Sequence, residues 1–144
     1  MKLAADGGTG GGGVPEVTAL RFGSDGLSLA VGTSAGHVFM HDMRSRTPVL
    51  TKDHQYGFPI KDLKFHDFSG NIVSADTKIV KIWDRESGAP YASIEPEDDI
   101  NDVCVVPDSG LVLVAVESKD INSFYIPQLV RFVYPFVDLA LLAA

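Results

Sequence analysis

Cysteine is nearly absent from this 144-residue chain: Cys104 stands alone, so neither a disulfide within the chain nor a cysteine-built zinc site can form. Cys104 lies mid-strand in VCVV with no basic neighbour to lower its pKa, which predicts a small buried hydrophobe, not a nucleophile. Positive charge is also short. Twelve Lys and Arg face nineteen Asp and Glu, a net charge of −7. Nucleic-acid binding rests on cations that neutralise phosphates, so an acidic chain argues for RNA contact that is indirect or minor. Unbroken apolar runs are missing too. The C-terminal LVRFVYPFVDLALLAA is interrupted by Arg131, Pro135 and Asp138, which argues against a membrane span. The N-terminal MKLAADGGTGGGGVP has one Lys and no apolar core, so it does not read as a secretory signal. Finally, no segment sustains a helical period.

What is there is a grammar of short β-like runs, rich in Val, Ile and aromatics and punctuated by Gly, Asp, Ser and Pro. VTALRF, LSLAVGTS, HVFMHDM and PVLTKD form one set of four. IKDLKFH, NIVSADT, IVKIWD and PYASIEP form a second; INDVCVVP, LVLVAVES and INSFYIP begin a third. The turn glycines Gly26, Gly70 and Gly110 are 44 and 40 residues apart, and the first strands begin at Val17, Ile60 and Ile100. A period of about 40–45 residues with four strands per unit is that of a WD-repeat propeller blade. The expected fold is all-β: a partial WD-repeat β-propeller of about three four-stranded blades, Val17–Asp53, Ile60–Pro96 and Ile100–Pro127. Three units do not close a ring, which takes roughly four to eight blades. The predicted organisation is therefore a flexible Gly-rich leader over 1–16, a propeller fragment over 17–127 and an apolar tail over 128–144.

The middle repeat carries Trp83-Asp84 at the end of its third strand, where the first has His41-Asp42 and the third has Tyr125-Ile126. The expected structural blade set is His54, Ser74, Asp76, Trp83 and Asp84, the first four of which can form one hydrogen-bonded set, because a buried indole N–H and a buried imidazole need partners. His54 lies about two residues further from its strand than such a histidine usually does.

Residues 17–127 resemble one WD-repeat family in particular, that of nucleolar protein 10, called essential nuclear protein 2 in yeast. The resemblance rests on VTALRF, LAVGTSAGHV, DMRSRTPVLTKDHQYGFPIKDLKFH, SADTKIVKIWD, SGAPYASIEPEDDINDVCVVPDSGL and FYIPQL. KDHQYGFPIK and SIEPEDDINDVC are not general WD-repeat wording. It implies a truncated member of a longer protein, since the sequence departs from the family after Pro127. It further implies a nuclear, nucleolar scaffold without catalytic activity, partnered by proteins of a preribosomal ribonucleoprotein, the small-subunit processome that matures small-subunit rRNA. The alternative is a generic WD-repeat interaction adaptor, such as a ubiquitin-ligase substrate receptor.

His54, His66, Asp53 and Asp62 hold metal-ligand atoms, but a zinc site needs three or four that converge. His54 precedes the strand that His66 ends, and six residues of strand separate them by about 20 Å. GGTGGGG lacks the Lys-Ser/Thr and the preceding strand of a phosphate loop. No acids or histidines recur at repeat spacing on the strands that would line a central channel, as a propeller enzyme would need. No catalytic residue, metal, cofactor or small-molecule substrate is therefore expected. The candidate partner-docking residues are Tyr56, Phe58 and Pro59 in the first connector, with Glu95, Glu97, Asp98 and Asp99 in the second. Exposed aromatics are favoured binding hot spots, and propeller loops are where partners reach. The competing expectation is that Phe58 and Pro59 pack on the neighbouring blade and that the acids are simply solvated.

Overall fold

The computed structural model describes residues 13–130. It contains eleven strands in three antiparallel sheets. Sheet 1 has the order β1(Val17–Phe22), β2(Ser28–Thr33), β3(His37–Asp42), β4(Leu50–Asp53). Sheet 2 repeats it with β5(Asp62–His66), β6(Asn71–Ala75), β7(Val80–Asp84), β8(Pro90–Ile94). Sheet 3 has β9(Ile100–Val105), β10(Leu111–Val116) and β11(Ile121–Tyr125), one strand fewer than the expected four among the described residues. A 3-10 turn, Pro127–Leu129, follows β11 and buries Leu129 completely. The leader reading falls mostly on residues 1–12 and the tail reading on 131–144; both segments lie outside the described residues.

The strands form because each alternates side chains between two faces, and the hairpins turn where glycine supplies a left-handed backbone. Gly26, Gly70 and Gly110 hold φ of 69°, 75° and 71° in the first hairpin of each sheet. The sheets then stack face to face, with β1, β5 and β9 side by side at one edge.

Burial along the strands reveals which faces are covered. All five residues of β6 are buried, because sheet 2 is sandwiched. One seam joins Ala30, Val38 and Met40 of sheet 1 to Ile60, Leu63, Ile72 and Trp83. The other joins Val73, Ala75, Val80 and Ile82 of sheet 2 to Val103, Val112, Val114 and Val116 of sheet 3. In β10, by contrast, every second residue is only half buried, since one face alone is covered. This corrects the reading of Cys104, which is exposed. Val103 and Val105 point into the seam with sheet 2, and the pleat turns Cys104 to the opposite face.

The first seam is tight. A Cβ on Gly32 would sit 2.6 Å from the Cβ of Ile60, so only glycine lets the two sheets approach this closely.

Candidate functional site

Two structures carry the chemistry of this chain: a buried polar clasp between sheets 1 and 2, and a surface made by the connectors between sheets.

The clasp assembles His54, Ser74, Asp76 and Trp83, all fully buried. The Trp83 indole N–H donates to Ser74 Oγ at 2.9 Å. Ser74 Oγ lies 2.6 Å from His54 Nε2, and His54 Nδ1 lies 3.1 Å from Asp76 Oδ2. A single proton arrangement serves every contact: Ser74 donates to Nε2, and Nδ1–H donates to the carboxylate. The amides of Lys78 and Ile79 donate to the other Asp76 oxygen at 2.7 and 2.8 Å. Burial alone would push the Asp76 carboxyl up, but hydrogen bonds from His54 and these two amides outweigh it and hold the group below its ordinary value. The offset of His54 is bridged by its backbone, whose N–H donates to Gly36 O at 2.9 Å in the β2–β3 turn. Asp84 stays outside the set. Its carboxylate accepts from the amides of Glu86 and Ser87 and closes the β7–β8 turn.

The other repeats lack the clasp. Register places Val31, Thr33 and His41 of sheet 1 where sheet 2 has Ser74, Asp76 and Trp83. In sheet 3 the residue in the place of Trp83 is Phe124, paired with Val112, and not the expected Tyr125. One residue of register decides which side chain faces the preceding sheet.

At the end of the sheets where the connectors run, the Tyr56 hydroxyl donates to Glu95 Oε2 at 2.8 Å. That bond joins the aromatic connector between sheets 1 and 2 to the acidic one between sheets 2 and 3. Tyr56 and Phe58 are 44% and 39% exposed, so Phe58 is not packed away against the next sheet. Pro59, Glu95, Glu97 and Asp98 are exposed as well, while Asp99 is half buried and paired with Lys78. The connector is backed by the β2–β3 turn. Gly36 holds φ of 80°, and a Cβ there would lie 3.0 Å from Gly57 Cα and from Phe58 O.

The histidines and aspartates of Thr51–His66 do not converge. His54 belongs to the clasp, and His66 Nδ1 lies 2.7 Å from Ser69 Oγ at the far end of β5. No group of three or more potential ligands for a metal ion occurs among the described residues. One expectation about the inner strands needs correction: Asp62 and Asp102 do recur, at the same register of β5 and β9. Each accepts from the amide of the next residue, Leu63 at 2.8 Å and Val103 at 2.9 Å. They share a cleft of about 330 Å³ with Arg21, Lys61 and Lys64. The cations there are engaged: Arg21 and Lys64 with Asp62, and Lys61 with Ile100 O. The cleft is of mixed charge, not a phosphate-binding strip.

Sequence reasoning missed the long-range contacts made by long cations, between sheets and, for Arg85 with Asp67, within sheet 2. Lys52 lies 6.0 Å from the Trp83 ring and donates to Gly88 O at 2.7 Å, and Arg85 reaches Asp25 and Asp67 in neighbouring turns. Their partners lie 31, 36, 60 and 18 residues away, and no local pattern marks such pairs.

Stacked sheets with a common strand order, joined by a His–Ser–Asp–Trp clasp, define a β-propeller of the WD-repeat kind. Solved structures agree on the fold: a chain of the mitotic checkpoint complex superposes with a TM-score of 0.66 at 22% identity, covering 75% of this chain and 36% of that one. The computationally designed Ika8 protein superposes at 0.64 and 18% identity, covering 77% and 33%. The chain belongs to the nucleolar protein 10-like family, whose N-terminal domain profile matches residues 2–131. Nucleolar protein 10 of Danio rerio is 50% identical over 117 residues, which cover 81% of this chain and 16% of the relative. That of Homo sapiens is 48% identical over 116 residues, covering 81% and 17%. The ribosome biogenesis protein enp2 homolog of Schizosaccharomyces pombe is 44% identical over 117 residues, covering 78% and 18%. The chain thus spans less than a fifth of the length of these relatives.

Proposed function

We propose that this chain is a non-catalytic scaffold of ribosome biogenesis, working in the nucleolus within the small-subunit processome that matures 18S rRNA. Residues 17–127 are its working propeller unit, flanked by the leader and the tail. The reading is supported by relatives whose names place them in the nucleolus and in ribosome biogenesis. The observation that carries it is the joined surface of Tyr56, Phe58, Pro59 and Glu95–Asp99, which offers aromatic faces and carboxylates together. Such a surface suits a basic segment of an assembly protein, since an Arg guanidinium stacks on aromatic rings and pairs with carboxylates. Direct RNA contact is minor in this scheme, because the net charge is −7 and the inner cations are engaged.

The test is affinity purification of the tagged full chain from growing cells. Small-subunit precursor RNA and preribosomal proteins are expected to copurify, and Tyr56→Ser with Glu95→Lys to reduce that recovery without lowering the thermal midpoint. Recovery of ubiquitin-ligase subunits without precursor RNA would point to the adaptor alternative instead.

A further inference from the structure

We propose that the groove between β4 and β8 docks an acidic peptide segment of a partner protein, with Lys52 and Lys81 holding its carboxylates. The groove has a volume of about 310 Å³ and lies between the last strands of sheets 1 and 2. Register explains how both lysines enter it. Lys52 stands opposite Val38, which packs into the first seam, so Lys52 faces sheet 2. Lys81 stands opposite Ser74 of the clasp and Ser93 of β8, so it faces sheet 1. Trp83, Pro90 and Ala92 supply apolar walls.

The two ammonium groups lack the counter-ions that other cations of the chain have. Arg21, Arg44, Lys64, Lys78 and Arg85 each reach a carboxylate. Lys52 donates to Gly88 O at 2.7 Å and Lys81 to Asp53 O at 3.2 Å, and neither makes an ion pair among the described residues. The Asp53 carboxylate accepts from the Gln55 amide at 2.8 Å, and the pleat turns it to the face opposite Lys52. Burial first, and the neighbouring charge of Lys81 second, lower the pKa of Lys52. An anion in the groove relieves that repulsion and gains charge-assisted hydrogen bonds. Ser93, exposed beside Lys81, adds a hydroxyl donor. A peptide fits these features better than RNA does. Two cations between apolar walls suit one or two carboxylates flanked by apolar side chains, whereas phosphate binding draws on a longer run of cations. β8 is also the last strand of its sheet among the described residues, and its edge offers main-chain groups to an extended chain. The groove is thus opposite in charge to the connector surface, which presents carboxylates.

The experiment is fluorescence anisotropy of the full chain with a labelled peptide of alternating Asp and Leu, beside its Lys-Leu counterpart and a single-stranded oligouridine. The Asp-Leu peptide is expected to bind, and to bind less tightly as salt rises. Lys81→Glu and Lys52→Gln are each expected to weaken it about tenfold, whereas Lys81→Arg retains it. The thermal midpoint of Lys81→Glu should stay unchanged, which separates lost binding from lost folding. Acetylation of amines read by mass spectrometry should show Lys52 and Lys81 protected by the bound peptide, while Lys119, exposed and outside the groove, keeps its reactivity. No binding of the Asp-Leu peptide overturns the proposal, as do undiminished binding by Lys81→Glu, equal binding of the Lys-Leu peptide, or equal protection of Lys119. Oligouridine that binds more tightly than the peptide and is released by the same variants would assign the groove to nucleic acid and overturn it too.

Discussion

Ser74 is the residue through which the clasp holds. Its hydroxyl serves Trp83 on one side and His54 on the other, and all three are fully buried. Ser74→Ala leaves an indole N–H and an imidazole nitrogen without partners, at about 1–3 kcal/mol for each buried group. The urea midpoint is expected to fall accordingly, while Ser69→Ala, at the half-buried partner of His66, should move it much less. Two other histidines make stability depend on pH. Burial pushes the pKa of His41 and of His66 below the ordinary 6.5, in His66 against the opposing pull of Asp108 and Asp67. A histidine whose folded pKa is lowered binds fewer protons folded than unfolded, so stability is full above the unfolded value and is lost as pH falls through it. The urea midpoint should therefore drop between about pH 7.5 and about pH 5.5, and His41→Gln should flatten that drop.

At the scale of elements, most of the fold was legible because strand runs, turn glycines and the 40-residue period all mark the same units. The clasp was legible for the same reason: His54, Ser74, Asp76 and Trp83 sit at fixed places in one repeat. The pairing register was not. Phe124 rather than Tyr125 takes the place of Trp83, since INSFYIP does not say which residue opposes Val112. Nor was the face of each strand. VCVV reads as buried throughout, yet Cys104 is exposed because only one side of sheet 3 is covered. Gly32 shows what else is hidden, for nothing in LAVGTS announces that its fourth residue touches Ile60. Gly32→Val would drive side-chain atoms into Ile60 across the first seam, and overpacking of this kind costs about 1–3 kcal/mol. A lower urea midpoint is the expected outcome, with Ile60→Ala partly rescuing the Gly32→Val protein because it clears the clash.

At the scale of the whole molecule, the two seams are of different chemistry. The first combines apolar packing with the clasp and with Lys52 lying beside Trp83. In the second, Val114 and Val116 hold the places of Ser74 and Asp76, so the corresponding contacts are apolar. Stacked units that touch only their neighbours divide their stability between unit and seam, and the end unit with one covered face opens first. Sheet 3 is such a unit, with three strands among the described residues and a single covered face. Val114→Ala removes methyl groups from the centre of the second seam, and a loss of about 1–3 kcal/mol is of the order expected for a buried truncation of this size. Hydrogen exchange read by mass spectrometry should then show faster exchange in β9, β10 and β11, while β2, β3, β6 and β7 keep their protection. Equal loss of protection across all three sheets would mean that the stack unfolds as one cooperative body and that the clasp does not give the first seam a stability of its own.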